Sequence, residues 1–173
     1  MTIHKQGIFL GLGTNKGSRE KNLTRALERI HTHRDIRILK VSSLYKSSPW
    51  GVEDQPWFLN AVCEIDTDIS PLDLLRELKR MEQYLGRKIS DVKWGPRKID
   101  LDIILFHDSI TETRDLFIPH KYLTGRLFVL MPLLELIPEG THPKTGISFK
   151  DYLEEFPAED RKKLCSLYTP KMN

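Results

Sequence analysis

Short apolar runs, separated by turn and cap residues, predict strands and helices over most of the chain. Ile8–Leu12 is a buried-strand pattern that ends on Gly13-Thr14-Asn15, a turn. Behind Ser18, a good N-cap residue, Leu23, Ala26, Leu27 and Ile30 recur at helical spacing. Ile36–Tyr45, rich in β-branched and aromatic residues, predicts a second strand. Lys46–Trp57 holds Pro49, Gly51 and Pro56 among polar residues and predicts a loop; loops this long within a compact domain are usually functional. A third strand, Phe58–Asp66, follows. Its pleat sends Phe58, Asn60, Val62 and Glu64 to one face and Leu59, Ala61, Cys63 and Ile65 to the other.

The second helix has the sharpest limits. Ser70 caps it, Pro71 takes the first helical position, and Asp73 is placed for a reciprocal contact with the cap. Leu74, Leu78, Met81 and Leu85 form its apolar stripe, and Gly86 suits the stop. A basic connector, Arg87–Arg97, leads to a fourth strand, Ile99–Phe106. The unbroken apolar run Ile103–Phe106 marks that strand as central and covered on both faces. Arg126–Met131 predicts a short helix stopped by Pro132, Phe149–Phe156 another, and Glu159–Asn173 a loose helix or charged tail. Periodicity permits a parallel or an antiparallel sheet.

Composition narrows the function classes. The 173 residues suit one domain, and 39% hydrophobic residues suffice for a core. A net charge of +3 is too mild for a protein that coats nucleic acid, although a local Arg/Lys cluster serves a small anionic substrate. Cys63 and Cys165 form neither a metal spacing nor a disulfide framework and read as reduced thiols. The start, with Lys5 and the short patch Gly7–Gly13, is not a secretory signal. Leu127–Ile137, interrupted by Pro132 and Glu135, is too short to span a bilayer. The expectation is a soluble, cytoplasmic protein with no nucleic-acid or membrane partner, a monomer or weak homodimer.

Candidate chemistry centres on Asp100-Leu101-Asp102. Alternate residues of a strand share a face, so two carboxylates stand side by side, with Cα atoms about 6.6 Å apart. Like charges so placed call for a cation, and oxygen ligands of this kind suit Mg²⁺ completed by waters and substrate phosphates. Two such ions about 3.5–4 Å apart would clamp a transferring phosphoryl group. An exposed strand with an acidic outer face is the plainer alternative, and the apolar run that follows fits it poorly. Arg87, Lys88, Lys93, Arg97 and Lys98 surround the pair; beside it, a run otherwise explained as a solvated loop reads as a phosphate-binding wall. Trp94-Gly95-Pro96 suits a cover that excludes water. Phe58 and Asn60 suit a flat heterocycle, by stacking and in-plane hydrogen bonds. On those two residues alone, a core Phe beside a capping Asn is the better reading.

Lys93-Trp-Gly-Pro-Arg-Lys-Ile-Asp-Leu-Asp-Ile-Ile104 resembles the signature of the 6-hydroxymethyl-7,8-dihydropterin pyrophosphokinases. Gly11-Leu-Gly-Thr-Asn15, Asp54-Gln-Pro-Trp-Phe-Leu-Asn60 and Ile118-Pro-His120 with Arg126 and Phe128 resemble it too, in order, from about Phe9 to Glu139. The resemblance implies transfer of the β,γ-pyrophosphoryl group of ATP to the hydroxymethyl group of a reduced pterin, with release of AMP. It also implies an α+β fold, a ferredoxin-like sandwich with an antiparallel sheet, as a single domain over 1–173 whose residues 158–173 are an extension without a placed counterpart. By the same resemblance Asp100 and Asp102 hold two Mg²⁺ ions and act in catalysis with Arg87 and Arg97. Glu82, Lys93, Trp94, Arg97, Ile103, His120 and Arg126 attend the ATP. The pterin lies between Phe58 and Phe128, read by Asn60 and the Ser47–Trp50 loop (Ser47, Ser48 and Trp50), with Trp94 closing over it. Ile89, Lys93, Lys121 and Trp50 depart from the familiar bacterial pattern, the first three on the nucleotide side and Trp50 at the pterin rim.

Two other readings compete. A metal-dependent nucleotidyltransferase also joins a Gly-rich turn to D-x-D, but there the turn opens a helix shortly before the carboxylates, whereas Gly13 and Asp100 are far apart here. A non-catalytic phosphate- or RNA-binding module calls for a broad basic face, and the concentrated acidic pair argues against it.

Overall fold

Strand β1 (Ile8–Thr14) runs between β5 (Asp100–Phe106) and β4 (Phe58–Asp66), antiparallel to both. The computed structural model describes residues 6–49, 51, 53–88 and 95–170. Beyond β4 lie β2 (Arg37–Val41) and β3 (Tyr45–Ser47), which pair with successive lengths of it, and β8 (Cys165–Leu167) adds to β3. The sheet is antiparallel throughout, which resolves the choice that periodicity left open. A small second ribbon joins β6 (Thr111–Glu112) to β7 (Phe117–Ile118).

Helices cover both faces. On one, α1 (Arg19–His31) and α2 (Pro71–Tyr84) bury Leu23, Ala26, Ile30, Leu74, Leu78 and Met81 against Leu10, Leu12, Cys63, Leu101 and Ile103. On the other, α3 (Leu127–Leu136) and α4 (Phe149–Glu154) pack Leu130, Leu133 and Phe149 against Phe9, Val62, Ile104 and Leu105. The pleat of β4 is therefore the predicted one. In α2, Ser70 Oγ accepts from Asp73 N at 3.2 Å, and past the helix end Gly86 takes φ +98°, a conformation easy only for glycine. Ser18 occupies the N-cap of α1 but makes no side-chain cap hydrogen bond.

Four expectations need correction. The strand Ile36–Tyr45 is two strands, because β2–β3 carries one more residue than β4 between the pairs Val41↔Cys63 and Tyr45↔Asn60. Ser42 fills the break: its N–H donates to Val62 O at 2.8 Å and its Oγ accepts from Val62 N at 2.9 Å. Second, β5 is an edge strand, not a central one. It is apolar because helices cover both its faces, and its outer edge is occupied by Glu82, which accepts from Leu101 N, and by His120, whose N–H donates to Ile104 O. Third, α3 passes through Pro132 and ends at Leu136. Burial of Leu127, Val129, Leu130 and Leu133 outweighs the helix bond a proline removes. Fourth, the C-terminal region, expected as a loose helix or a tail, starts as the helix α5 (Ala158–Leu164) and continues as the strand β8.

Candidate active site

The site grows from the α3 side of the sheet. Asp100, Asp102 and Ile104 point there from β5, Phe58, Asn60 and Val62 from β4, and all six line one cleft of about 310 Å³. Its floor is β1, where two side chains are missing: a Cβ at Gly11 would come 3.0 Å from Ile104 Cδ1, and one at Gly13 would come 3.1 Å from Asn60 Oδ1. The Gly13-Thr14-Asn15 stretch is thus not the predicted turn, since β1 continues to Thr14. The glycines keep the floor open where the two neighbouring strands raise their functional side chains.

A register shift in β5 sharpens the orientation. Phe9 faces Leu105 but Leu10 faces Ile103, so Ile104 is an inserted residue. Asp100, Asp102, Ile104 and Leu105 therefore share the cleft face, while Leu101 and Ile103 enter the core beneath α1 and α2. Ile103, expected near the nucleotide, keeps its side chain out of the cleft, and Ile104 takes the place. Simple alternation along the strand gives Ile103 the right face but misses the bulge.

At the charged end, Arg87 Nη1 and Arg97 Nη1 each donate to Asp100 Oδ1 at 2.9 Å. A guanidinium offers five N–H donors, more than one carboxylate oxygen uses. Behind Arg87 stands Glu82, 1% exposed, which does not reach the cleft. Its Oε2 accepts from Arg87, and its Oε1 from Leu101 N at 2.7 Å and Lys79 Nζ at 3.0 Å. Burial pushes the Glu82 carboxyl up, against the pull of Lys79, Leu101 N–H and Arg87. Burial also opposes the Arg87 charge, but Glu82 and Asp100 outweigh it and hold that guanidinium above its ordinary range. Glu82, expected on the nucleotide side, thus stands behind the cleft lining and is held to Arg87. Lys79, which the sequence did not single out, lines the cleft from α2.

His120 and Arg126 close the cleft from the chain beyond β7. The His120 backbone is tied to β5, and its Nδ1 accepts from Tyr122 N at 3.2 Å, so the neutral ring donates from Nε2. Burial lowers its pKa, opposed by Asp102 and aided by Arg126 and Lys79. Arg126, at the N-cap of α3, lies 4.7 Å from the centre of the Tyr122 ring and 5.6 Å from that of Phe128. Burial lowers its pKa also, opposed chiefly by Asp102. Tyr122, a cleft residue that sequence reasoning passed over, sits one place after Lys121, which is exposed and lies over Phe117 and Tyr122.

The other end is aromatic and amide-lined. Phe58, Asn60, Ser48 and Phe128 all line the cleft. Asn60 Nδ2 donates to Ser47 Oγ at 2.8 Å, so Ser47 is buried behind Asn60 and orients it. The capping-Asn reading of Phe58 and Asn60 is set aside, because Asn60 lies mid-strand with its amide at the cleft. Asn15 joins the two ends of the site. Its Nδ2 donates to Gln55 Oε1 and Pro56 O, both at 2.9 Å, and its Oδ1 accepts from Arg97 N at 2.8 Å. One buried amide thereby holds the long loop to the lead-in of β5, a role the sequence showed only as a turn residue. Trp50, Ile89, Lys93 and Trp94 lie outside the described residues.

The donor set bears on metal. Among the described residues no group of three or more His, Cys, Asp or Glu is arranged to hold a metal ion by itself. Asp100 and Asp102, on one strand face at the wall of an open cleft, fit instead an ion that takes two protein carboxylates and completes its shell with water and phosphate.

Fold and cleft together define the class: an antiparallel α+β protein whose cleft sets paired carboxylates and arginines beside a recess lined by aromatic rings and an amide. The family model described as 7,8-dihydro-6-hydroxymethylpterin-pyrophosphokinase (HPPK) matches residues 9–138, and the chain belongs to that family. The chain is 43% identical over 151 residues to the folic acid synthesis protein fol1 of Schizosaccharomyces pombe, covering 87% of the chain and 20% of that relative. It is 39% identical over 153 residues to the 2-amino-4-hydroxy-6-hydroxymethyldihydropteridine pyrophosphokinase of Aquifex aeolicus, covering 88% and 91%. A Plasmodium falciparum HPPK-DHPS crystal structure with pteroate superposes with a TM-score of 0.71 at 14% identity, over 92% of the chain and 46% of its own length. The chain thus spans about a fifth of the fungal relatives and under half of that solved chain, but most of the Aquifex one.

Proposed function

We propose that the protein transfers the β,γ-pyrophosphoryl group of ATP to the hydroxymethyl group of 6-hydroxymethyl-7,8-dihydropterin, releasing AMP, as a step of folate synthesis. The observation that carries the reading is the two-ended cleft, which joins Asp100, Asp102, Arg87 and Arg97 to Phe58, Asn60 and Phe128 across a floor of glycines. The strand order β5-β1-β4 followed by β2 and β3, with α1 and α2 on one face, supports assignment to the ferredoxin-like sandwich, extended here by β8 and backed by α3 and α4.

In this reading the hydroxymethyl oxygen attacks the β-phosphorus, the bond from that phosphorus to the α,β-bridging oxygen breaks, and AMP leaves. The new bond joins pterin oxygen to phosphorus, and the hydroxyl proton passes to a base, a role this reading gives to Asp100. Phosphoryl transfer asks little covalent work of the protein and much positioning. Arg87, Arg97, His120 and Arg126 contact the phosphates, and Glu82 keeps Arg87 aimed. Lys93 and Trp94 on the nucleotide side, and Trp94 and Trp50 on the pterin side, are assigned by the family resemblance alone. Phe58 and Phe128 hold the bicycle between them, while Asn60, oriented by Ser47, and the Ser48 backbone read its edge. Asp100 and Asp102 would hold Mg²⁺, as two ions, which when bound neutralise developing phosphate charge and favour the alkoxide.

The test is the nucleotide product. With ATP, Mg²⁺ and the reduced pterin, AMP is expected in step with pterin consumption; ADP, or pyrophosphate with AMP attached to the acceptor, overturns the reading. Independently of turnover, Asp100→Asn and Asp102→Asn should each weaken Mn²⁺ binding measured by electron paramagnetic resonance, with the circular dichroism spectrum unchanged. Unchanged Mn²⁺ affinity in both would remove the metal assignment.

A further inference from the structure

The C-terminal segment, beyond the part of the chain the family model matches, is built against the heterocycle end of the cleft. In its register Ser47 stands opposite Cys165, Lys46 opposite Ser166 and Tyr45 opposite Leu167. The ladder continues into the cleft loop, where Ser48 N donates to Leu164 O at 2.9 Å, and Tyr168 N donates to Leu44 O at 2.8 Å. Ser48 lines the cleft, and Ser47 Oγ is the acceptor that orients Asn60. The buried Cys165 side chain packs with Tyr45 and Leu127 in a cluster that includes Phe128. One short strand therefore backs both walls of the recess.

Without β8, the three residues of β3 would be an edge strand with unpaired backbone groups, leading directly to Ser48 and Pro49. Pairing on the second side fixes Ser47 and Ser48 before any ligand arrives. The charged end is remote from this contact, since β3, β4 and β1 separate β8 from β5.

We infer that Ala158–Tyr168 is a positioning element for heterocycle recognition: it pairs with Tyr45–Ser48 and packs behind Phe128, and so holds Ser48, Asn60 and Phe128 in their binding arrangement. The segment itself touches no substrate. The inference rests on the reading of this end as the pterin recess.

Two variants test it, a chain ending at Phe156 and Ser166→Pro, which removes a backbone donor from the ladder opposite Lys46. The pterin KM should rise about tenfold in each, the effect of loosening a hydrogen-bonded recognition wall. Affinity for a non-hydrolysable ATP analogue, measured by calorimetry, should move less than about twofold, and kcat should change less than KM. Hydrogen exchange at the Ser48 amide, measured without substrate, should accelerate in Ser166→Pro. An unchanged pterin KM overturns the inference, as does a parallel loss of pterin and nucleotide affinity, or loss of the native circular dichroism spectrum in both variants. If the unaltered chain turns over no pterin, the proposed reaction falls, and exchange at Ser48 still decides whether β8 holds this wall.

Discussion

Glu82 lets the energetics of the charged end be worked from the structure. Its carboxylate meets Arg87 on one oxygen and Lys79 with the Leu101 N–H on the other, at 1% exposure. Lys79 is 43% exposed, so its share is small; Arg87, at 22%, and the Leu101 amide dominate. Breaking a buried pair from one side costs about 3–5 kcal/mol, because the remaining charge loses its partner. Arg87 keeps Asp100 as a partner, and Glu82→Gln keeps an oxygen for Leu101 N and removes a carboxylate that burial already disfavours, which places the loss below that range, at about 2 kcal/mol. Glu82→Leu also strands the Leu101 N–H, adding about 1–3 kcal/mol. Urea unfolding at neutral pH, followed by circular dichroism, reads both values, with the slope checked for constancy. The double variant Glu82→Gln/Arg87→Met should recover about 1 kcal/mol relative to the sum of its singles, since the Glu82–Arg87 contact broken in each single is then lost only once. Additive losses, or a Glu82→Leu chain as stable as the parent, would falsify the anchoring role.

Other consequences can be checked separately. Gly13→Ala should crowd Asn60 Oδ1, raising the pterin KM with little effect on ATP affinity; equal effects on both would contradict the floor assignment. Phe128→Ala should weaken pterin binding by about 1–3 kcal/mol, read by fluorescence titration, and an unaltered affinity would remove it from the recess. Burial holds His120 below its ordinary pKa, so as pH falls below about 6.5 the unfolded chain takes up this proton before the folded one and stability declines. Between pH 7.5 and 5, thermal unfolding of His120→Gln should therefore fall less steeply than that of the parent, with His142→Gln needed as a control because burial lowers His142 as well. Identical slopes would show that His120 does not carry the effect. Burial pushes the Cys63 and Cys165 thiols up to about 12, so thiol reagents at neutral pH should modify neither until the chain unfolds; prompt labelling would contradict their placement.

Elements with strong local signals were legible in the sequence. Ser70, Pro71 and Gly86 delimit α2 because capping is local chemistry, and the face assignment on β4 follows from the pleat alone. The Asp100–Asp102 pair was legible for the same reason, since residues two apart on a strand share a face. What escaped depends on contacts between distant segments. The bulges at Ser42 and Ile104 are set by register with a neighbouring strand; the first decided the break between β2 and β3 and the second put Leu105 on the same face as Ile104. The edge position of β5 was hidden because helices make an edge strand as apolar as a central one. Cys165–Leu167 is too short to announce a strand and becomes one only beside β3. Asn15 and Lys79 carried no signal, because a buried amide joining two loops and a lysine facing a cleft look like any turn residue and any helix surface.

The central claim is that the acceptor receives two phosphates in one step. Phosphorus NMR of the product formed from ATP and the reduced hydroxymethylpterin tests it directly. The account predicts a pair of coupled diphosphate resonances on the pterin, matched by the singlet of AMP. A lone phosphomonoester resonance accompanied by ADP would contradict it.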